Sequence, residues 1–370
     1  MSEPVVRIRN LCLALPKGAD RPHAVEDLSL DLLPGKILCV VGESGSGKSM
    51  SAYALTGLLP RVLRVAGGRI EFEGRDLLAL DERGWRQLRG RRIAMIFQEP
   101  MTALNPVMRI GDQIAEMFEA HDLLTPAERR ARAVELAREV GLPEPEQIVR
   151  AYPHQLSGGQ RQRAMIAMAL ALEPSVLVAD EPTTALDVTT QAQILKLIRE
   201  LQQRLGFTAV YVTHDQEEAL AVSDQIIVMQ DGVIAQQGSP RELYEAPASS
   251  FIADFIGEAN VVPCEVLRSD GGNAIIRVGT LEHAVPGRNA RPGPAKLAVR
   301  PNAITLEAGG NGAFAGSIRH AAYLGDHVEY EVETASGTLF VVDPAVDRNL
   351  PPATSVSIGF HHRGIAIINN

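Results

Sequence analysis

The sequence predicts an α/β domain with a helical subdomain, followed by a small all-β domain. Short apolar runs alternate with helical patterns over the first 240 residues, which is typical of strands buried on both faces of a parallel or mixed sheet. A glycine-rich loop follows the first of these runs. Toward the C-terminus helical patterns fade, and alternation of apolar and polar residues takes over.

Five short apolar runs are the candidate strands of the α/β domain, which we assign to residues 1–240. The stretch from about 100 to 165 is instead rich in helical patterns and predicts a helical subdomain. Residues 241–260 are assigned to a linker and residues 261–370 to the all-β domain. The candidate strands are Ile37–Val41, Ile93–Phe97, Val176–Ala179, Ala209–Thr213 and Gln225–Met229.

One helix of the subdomain has well-marked ends. Thr125-Pro126-Ala127-Glu128 has the pattern of a capping box with proline at the first helical position. Gly141 is a typical stop. The apolar residues that repeat at helical spacing predict the packed face. They are Ala127, Ala131, Val134 and Ala137.

The all-β domain is predicted from strand alternation. Val328, Tyr330 and Val332 fall on one face of a strand and glutamates on the other. The turn Ala335-Ser336-Gly337 leads to a partner strand at Thr338–Val342. Such strands and turns predict a small barrel or sandwich.

Composition disfavours several classes of function. The chain has 370 residues, a net charge of −9 and three cysteines. An acidic chain without a basic cluster binds nucleic acid poorly, because such binding depends on neutralising phosphates. The separated cysteines predict neither a disulfide framework nor a zinc site. The N-terminus lacks a signal-peptide pattern, and the apolar runs fall short of the roughly 20 residues that cross a bilayer.

The glycine-rich loop after Ile37–Val41 matches the phosphate-binding pattern in full and predicts the P-loop NTPase fold. Its glycines let backbone N–H groups turn toward phosphates, and the next helix directs its positive end at the same anion. Lys48 supplies a point charge, and the Ser49 hydroxyl is a ligand for Mg²⁺. A Gly-Ser turn without a ligand would not require this Lys-Ser pair. The loop consists of Gly42, Glu43, Ser44, Gly45, Ser46, Gly47, Lys48 and Ser49.

Two carboxylates follow the apolar run Val176–Ala179. Asp180 suits a contact to Mg²⁺, directly or through water, and Glu181 is placed to polarise the attacking water as general base. Acidic pairs at strand ends are usually only solvated. The phosphate-binding loop in the same chain favours the catalytic interpretation.

A serine and two glycines open a further helix after Leu156. Backbone N–H groups and a helix N-terminus together form an anion site there. Taken alone, the segment is also explained by an N-cap serine beside a flexible turn. Its residues are Ser157, Gly158, Gly159 and Gln160.

Together these segments resemble the nucleotide-binding domain of ATP-binding cassette (ABC) transporters, over roughly the first 240 residues. They occur in the family's order and at about its spacing. Gln98 resembles the glutamine that reaches Mg²⁺ and the attacking water, and His214 resembles the histidine that contacts the γ-phosphate. Ala185-Leu186-Asp187 resembles the family's D-loop.

The resemblance implies an ATPase that uses ATP and Mg²⁺. It adds Gln98 to the metal ligands and His214 to the catalytic residues Lys48 and Glu181. Two copies would pair head to tail, with each ATP between the loop of one copy and Ser157–Gln160 of the other. Transmembrane permease subunits would bind near the helical subdomain, with a solute-binding protein acting indirectly. The chain would then lie peripherally on the cytoplasmic face of the cell membrane.

The sequence departs from the family where adenine is held. The family usually stacks an aromatic residue on the base, upstream of the phosphate-binding loop. Within Pro16–Val25 the only aromatic ring is the imidazole of His23. Either His23 or Arg21 is expected to replace the aromatic residue, through a polar or cation–π contact.

The C-terminal part resembles the TOBE-like, OB-like accessory domain of importer ATPases. The segments that carry this likeness are Phe255-Ile256-Gly257, Val299-Arg300-Pro301 and Tyr323-Leu324-Gly325. This group imports polyamines, ferric iron, phosphonate, sulfate or sugars, and we expect a polyamine or a similarly small polar solute. Gln98–Pro106 instead resembles peptide and nickel importers, so a peptide stays an alternative.

Other functions remain open at this stage. An ABC-type ATPase acting on DNA is disfavoured, because about 110 residues without sustained heptads separate the two glycine-rich segments. A ribosome-associated protein would carry two cassettes in one chain. A third alternative is a regulatory module, with the β-domain as its output.

Overall fold

The computed structural model describes residues 3–270, 272–287, 290–310, 312–348 and 350–368. The chain divides into two compact units, Met1–Gln237 and Gly238–Asn370. The first unit is an α/β unit, and the second is built mainly of strands.

The first unit contains two sheets and their helices. Its strands are β1 Val6–Ala14, β2 His23–Leu32, β3 Ile37–Gly42, β4 Arg64–Phe72, β5 Arg75–Asp76, β6 Ile93–Ile96, β7 Val176–Asp180, β8 Thr208–Val212, β9 Gln225–Gln230 and β10 Val233–Gly238. Its helices are α1 Lys48–Thr56, α2 Glu82–Leu88, α3 Pro100–Ala103, α4 Ile110–Glu119, α5 Pro126–Glu139, α6 Pro145–Ile148, α7 Gly158–Leu170, α8 Val188–Leu205 and α9 Gln216–Val222.

The five predicted strands all belong to one six-stranded sheet, in the order β10-β9-β3-β8-β7-β6. Strand β3 runs parallel to β8 and β9, and β7 runs parallel to β6 and β8. Every residue of β3, β7 and β8 is buried, as expected for strands covered on both faces. Because these strands are parallel, the loops that follow them meet at one edge of the sheet.

A second sheet, in the order β2-β1-β4-β5, was not predicted. Its strands β1, β2 and β4 are antiparallel, and β-bulges interrupt the β1–β2 and β1–β4 ladders. A bulge shifts the alternation of inward and outward residues by one. The period-two pattern of Val6–Ala14 is therefore broken, although Leu11 and Leu13 are fully buried.

Helices α3 to α7 occupy the stretch between β6 and β7. The predicted capping box of α5 is confirmed: the Thr125 hydroxyl accepts from Glu128 N, and the Glu128 carboxylate accepts from Thr125 N. The predicted packed face is wrong in part. Ala127 and Ala131 are exposed, whereas the helix buries Ala133, Leu136 and Ala137. The bulky Leu136 sets the inward face, which alanine spacing alone did not show.

The second unit begins with the short helices α10 Pro240–Glu245 and α11 Ser250–Phe255. Two five-stranded sheets follow, in the orders β13-β12-β11-β14-β20 and β15-β19-β16-β17-β18, with a shared hydrophobic core. The strands are β11 Asn260–Asp270, β12 Asn273–Val278, β13 Leu281–Pro286, β14 Gly293–Val299, β15 Ile304–Ala308, β16 Ala315–Tyr323, β17 Val328–Thr334, β18 Gly337–Asp343, β19 Ser355–Phe360 and β20 Ile365–Ile368.

Strand β17 confirms the predicted alternation, because Val328, Tyr330 and Val332 are buried between outward-facing glutamates. Arg300, after β14, fastens the two short helices to this unit. Its guanidinium donates to the carbonyls of Tyr244 and Ala253, at 2.9 and 2.7 Å. The part of the chain first assigned to a linker, residues 241–260, thus contains α10, α11 and the start of β11.

Candidate nucleotide site

The phosphate-binding loop connects β3 to α1 and is shaped by glycine. Gly47 has φ +101°, and a Cβ there would lie 2.4 Å from the Ala24 carbonyl oxygen. Any side chain would therefore collide with backbone in addition to straining the turn. Ser46 anchors the loop, because its carbonyl accepts from Gly232 N at 3.1 Å. The Ser46 hydroxyl is buried and has no hydrogen-bond partner among the described residues.

Lys48 opens α1 and is only 5% exposed. Its ammonium donates to the carbonyls of Gly42 and Glu43, at 2.7 and 2.9 Å. Burial lowers the pKa of Lys48, and the carboxylates of Glu181 and Asp180 oppose that shift. The Lys48 side chain therefore lies inside the loop, where backbone N–H groups and the start of α1 also favour an anion.

Asp180 ends β7 and is 1% exposed. Ser49 donates its hydroxyl to Asp180 Oδ1 at 3.0 Å, and Tyr53 also hydrogen-bonds this carboxylate. Burial raises the pKa of Asp180, and the hydrogen bonds from Ser49 and Tyr53 oppose this. Burial and the Asp180 charge raise the pKa of Tyr53 to about 12. The structure therefore brings together two of the three predicted Mg²⁺ ligands.

Glu181 follows Asp180 with its backbone in the left-handed region, at φ +45°. Three side chains converge on its Oε2: Gln98 Nε2 at 2.8 Å, Thr184 Oγ1 at 3.1 Å and His214 Nδ1 at 3.3 Å. The histidine ring is otherwise largely exposed. Gln98, Glu181 and His214 come from three separate loops, as expected from the order of the parallel strands.

Lys48, Ser49, Gln98, Glu181 and His214 line a cleft of 710 Å³. Asp180 is not among the lining residues, although it accepts from Ser49, which is. Arg21 lines the cleft, donates to the Gly45 carbonyl and lies 3.7 Å from Asp231 Oδ1. His23 is not among the cleft-lining residues; its Nδ1 lies 3.7 Å from Glu26 Oε2. The cleft is lined by Leu15, Asp20, Arg21, Ala24, Glu43, Ser44, Gly45, Ser46, Gly47, Lys48, Ser49, Met50, Gln98, Glu181, His214, Gln230 and Asp231.

The segment Ser157–Gln160 does not line this cleft. Ser157 is the N-cap of α7, and with Gln160 it forms a capping box. Ser157 and Gly158 are exposed. A Cβ at Gly159 would lie 2.7 Å from Thr190 Cγ2, so glycine permits close packing against α8. Both interpretations made from the sequence fit this geometry: the serine caps the helix, and the N-terminus faces solvent.

Two functional contacts were missed from the sequence. Tyr53 lies one helical turn after Ser49, so helix periodicity could have placed both on the face that meets Asp180. Thr184, which donates to Glu181, carries no comparable signal, because it acts through a turn rather than a regular element.

No helix in the described part of the chain is both long and apolar enough to cross a membrane.

Comparison with known proteins places the chain in a family. The ABC transporter family model matches residues 25–184, and the TOBE domain model matches residues 297–368. The chain is 54% identical to "Fe(3+) ions import ATP-binding protein FbpC 1" of Rhizobium meliloti (strain 1021), over 98% of each chain. It is 52% identical to "Fe(3+) ions import ATP-binding protein FbpC" of Brucella abortus (strain 2308), over 94% of each.

A shorter likeness is to "Peptidoglycan transport ATP-binding protein YejF" of Agrobacterium fabrum (strain C58 / ATCC 33970), 47% identical over 68% of this chain and 46% of that protein. A dimeric post-hydrolysis structure of the ATP-binding cassette MJ0796, bound to ADP and Pi, has a TM-score of 0.56 at 30% identity. It covers 63% of this chain and 98% of that one. The chain therefore belongs to the ABC transporter family, as an ATP-binding and ATP-hydrolysing subunit of the importer type with a C-terminal TOBE domain.

Proposed function

We propose that this chain hydrolyses ATP to power the import of ferric iron. One observation carries the choice of solute: the 54% identity to a Fe(3+) import ATP-binding protein extends over 98% of both chains. The relatives thus favour ferric iron over the polyamine that the sequence alone suggested. The likeness to YejF, whose name refers to peptidoglycan transport, spans only 68% of this chain.

In the proposed site the triphosphate lies in the loop between β3 and α1. Lys48 contributes its ammonium, and the backbone N–H groups of the loop supply further donors. The buried Ser46 hydroxyl, which has no partner among the described residues, is available to a phosphate oxygen. The adenine end is assigned to the side of the cleft lined by Leu15 and Arg21.

The residues assigned to Mg²⁺ fit that ion, because it prefers oxygen ligands. Ser49 offers a hydroxyl, Asp180 a carboxylate and Gln98 an amide oxygen, and the Ser49–Asp180 hydrogen bond already places two of these groups together. When bound, Mg²⁺ neutralises charge that develops on the β- and γ-phosphates.

Glu181 is the proposed general base. All three of its side-chain contacts fall on Oε2, which leaves Oε1 for the proton of the attacking water. Gln98 and Thr184 fix the carboxylate by donating to it. His214, largely exposed beside it, is the proposed contact to the γ-phosphate. Holding the base before substrate arrives lowers the reorganisation needed in the transition state.

The proposed active unit is a head-to-tail dimer bound to permease subunits at the cytoplasmic face of the membrane. Ser157–Gln160 lies outside the cleft with Ser157 and Gly158 exposed, so it is free to meet nucleotide held by a second copy. The dimeric MJ0796 structures support this arrangement. The helices after Gln98 are the proposed contact to the permease, and a solute-binding protein would deliver the iron.

Uptake measurements test this proposal. Cells that lack the chain are given back either the wild-type chain or Glu181→Gln, and uptake of radiolabelled ferric iron, spermidine, phosphonate, sulfate, a sugar and a dipeptide is compared. We expect only ferric iron uptake to return, and only with the wild-type chain. Restoration of dipeptide uptake instead would support the peptide alternative. If no solute responds although the purified chain hydrolyses ATP, the regulatory alternative gains support.

A further inference from the structure

A buried carboxylate lies behind the catalytic groups. Glu218, on α9, is 4% exposed. Its Oε1 accepts from Thr183 Oγ1 at 2.6 Å and from Gln191 Nε2. Its Oε2 accepts from Tyr211 OH at 3.0 Å and from Thr213 Oγ1 at 2.8 Å. All four donors are neutral side chains, so hydrogen bonds rather than an ion pair hold the carboxylate. The donors come from three separate segments of the chain.

Two of those donors lie next to catalytic residues. Thr183 lies two residues after Glu181 and directly before Thr184, which donates to Glu181 Oε2. Thr213 directly precedes His214. The two oxygens of one carboxylate thus hold the segment that follows β7 and the segment that follows β8.

The backbone around His214 is closed by the same network. Thr213 Oγ1 donates to Glu218 and accepts from Asp215 N at 3.0 Å. Asp215 caps α9, and its Oδ1 accepts from Glu218 N at 3.0 Å. His214 therefore projects from a short segment whose two ends are both tied to the start of α9.

Glu181 needs such support from its surroundings. Its φ of +45° is uncommon for a residue with a side chain, and such backbone persists where neighbouring contacts fix it. Thr183, in the turn that follows Glu181, is buried. Its hydroxyl donates to Glu218 Oε1 and so ties this turn to α9.

We propose that Glu218 is a positioning residue for ATP hydrolysis, which acts through Thr183 and Thr213 to keep the Glu181 carboxylate and the His214 imidazole in contact. The inference rests on the proposed role of Glu181 as general base. Glu218 touches neither nucleotide nor water in this scheme. Its loss therefore lowers the rate of hydrolysis and leaves ATP binding, which depends on the loop around Lys48, largely intact.

The test compares full-length purified variants for kcat, KM, ATP affinity and melting temperature. Glu218→Ala removes both acceptors, and we expect kcat to fall about ten- to a hundredfold while KM and ATP affinity change by less than about threefold. Glu218→Gln keeps the shape and one carbonyl oxygen, so it retains most of kcat. Thr213→Val breaks only the contact on the His214 side and lowers kcat in the same way.

Gln202→Met is the matched control. Gln202 is also buried and donates to the carbonyls of Gly35 and Phe207, at 2.8 and 3.1 Å, and neither of these lines the cleft. We expect it to lower the melting temperature without lowering kcat.

Three results would overturn the inference. The first is an unchanged kcat in both Glu218→Ala and Thr213→Val, and the second is a loss of ATP affinity in Glu218→Ala in proportion to its loss of kcat. The third is a loss of kcat in Gln202→Met as large as that in Glu218→Ala when the two variants have the same melting temperature. If Glu218→Ala does not fold, an unchanged kcat in Thr213→Val alone overturns the inference. Failure of the proposed function would be recognised by a different result. If Glu181→Gln hydrolyses ATP at the wild-type rate, Glu181 is not the general base, whatever the Glu218 variants do.

Discussion

Replacing Glu181 by glutamine tests the proposed chemistry with the smallest change of shape. The three contacts of Glu181 all involve Oε2. A glutamine oxygen at that position still accepts from Gln98 and Thr184, and the amide group takes the place of Oε1. The substitution therefore removes the proton acceptor and leaves the side chain held as before.

The expected magnitude follows from the role. A positioned general base contributes about 10²–10⁴-fold to a rate, which corresponds to about 2.7–5.5 kcal/mol of activation free energy. We expect phosphate release by Glu181→Gln to fall by about 10²-fold or more. Because Lys48 and the loop are untouched, ATP binding persists, and the variant accumulates as an ATP-bound dimer.

The assay is phosphate release by the purified chain, with nucleotide binding and size-exclusion chromatography in parallel. Glu217→Gln is the matched control, since it is the same chemical change at an exposed position on α9. We expect it to hydrolyse ATP normally. If Glu181→Gln matches Glu217→Gln in rate, Glu181 is not the base, and the reasoning from its contacts is refuted.

Three further predictions concern binding and stability. Lys48→Ala should weaken ATP binding by roughly ten- to a hundredfold, because a charge-assisted contact to phosphate is lost; equilibrium titration measures this, and unchanged affinity would contradict it. Arg21→Ala should weaken ATP binding by about two- to fivefold through loss of a cation–π contact to adenine. His23 does not line the cleft, so His23→Ala should leave ATP affinity unchanged. A larger loss of affinity in His23→Ala than in Arg21→Ala would contradict the assignment of Arg21 to adenine. Arg300→Met should destabilise the second unit by about 2–5 kcal/mol, because buried carbonyls lose their donor; chemical denaturation measures this, and ATP affinity serves as the internal control.

The sequence predicted the strands around the proposed nucleotide site well, because buried strands and the loops between them depend on local patterns. Strands buried on both faces are continuous apolar runs, and the residues that follow them lie at one edge of a parallel sheet. Thus β3, β7 and β8 were placed to within one or two residues. Lys48 opens the helix that follows β3, Asp180 ends β7 and His214 follows β8. The close contacts of Gln98 and His214 with Glu181 follow from the same topology.

Other features could not be predicted, for physical reasons that differ. The bulges of β1 break its alternation, so the antiparallel sheet had no periodic signal. The inward face of α5 depends on how Leu136 packs against other helices. Glu218 follows Glu217 at the start of an amphipathic helix, where paired acidic residues are usually solvated. Only the tertiary structure shows that one of the two is buried under three hydroxyls and an amide.

The arrangement of charge explains why the proposed site separates binding from hydrolysis. Lys48, the ammonium in the loop, is held by the carbonyls of Gly42 and Glu43, whereas Asp180 is held by hydroxyl groups. Glu181 is held by a different set of side chains, from Thr184 in its own turn and from Gln98 and His214 in two other loops. A change at the base therefore leaves the phosphate contacts in place, and a change at the loop leaves the base in place. Ser157–Gln160 belongs to the proposed machinery but does not line this cleft, so hydrolysis in the proposed dimer depends on a second copy closing over the nucleotide.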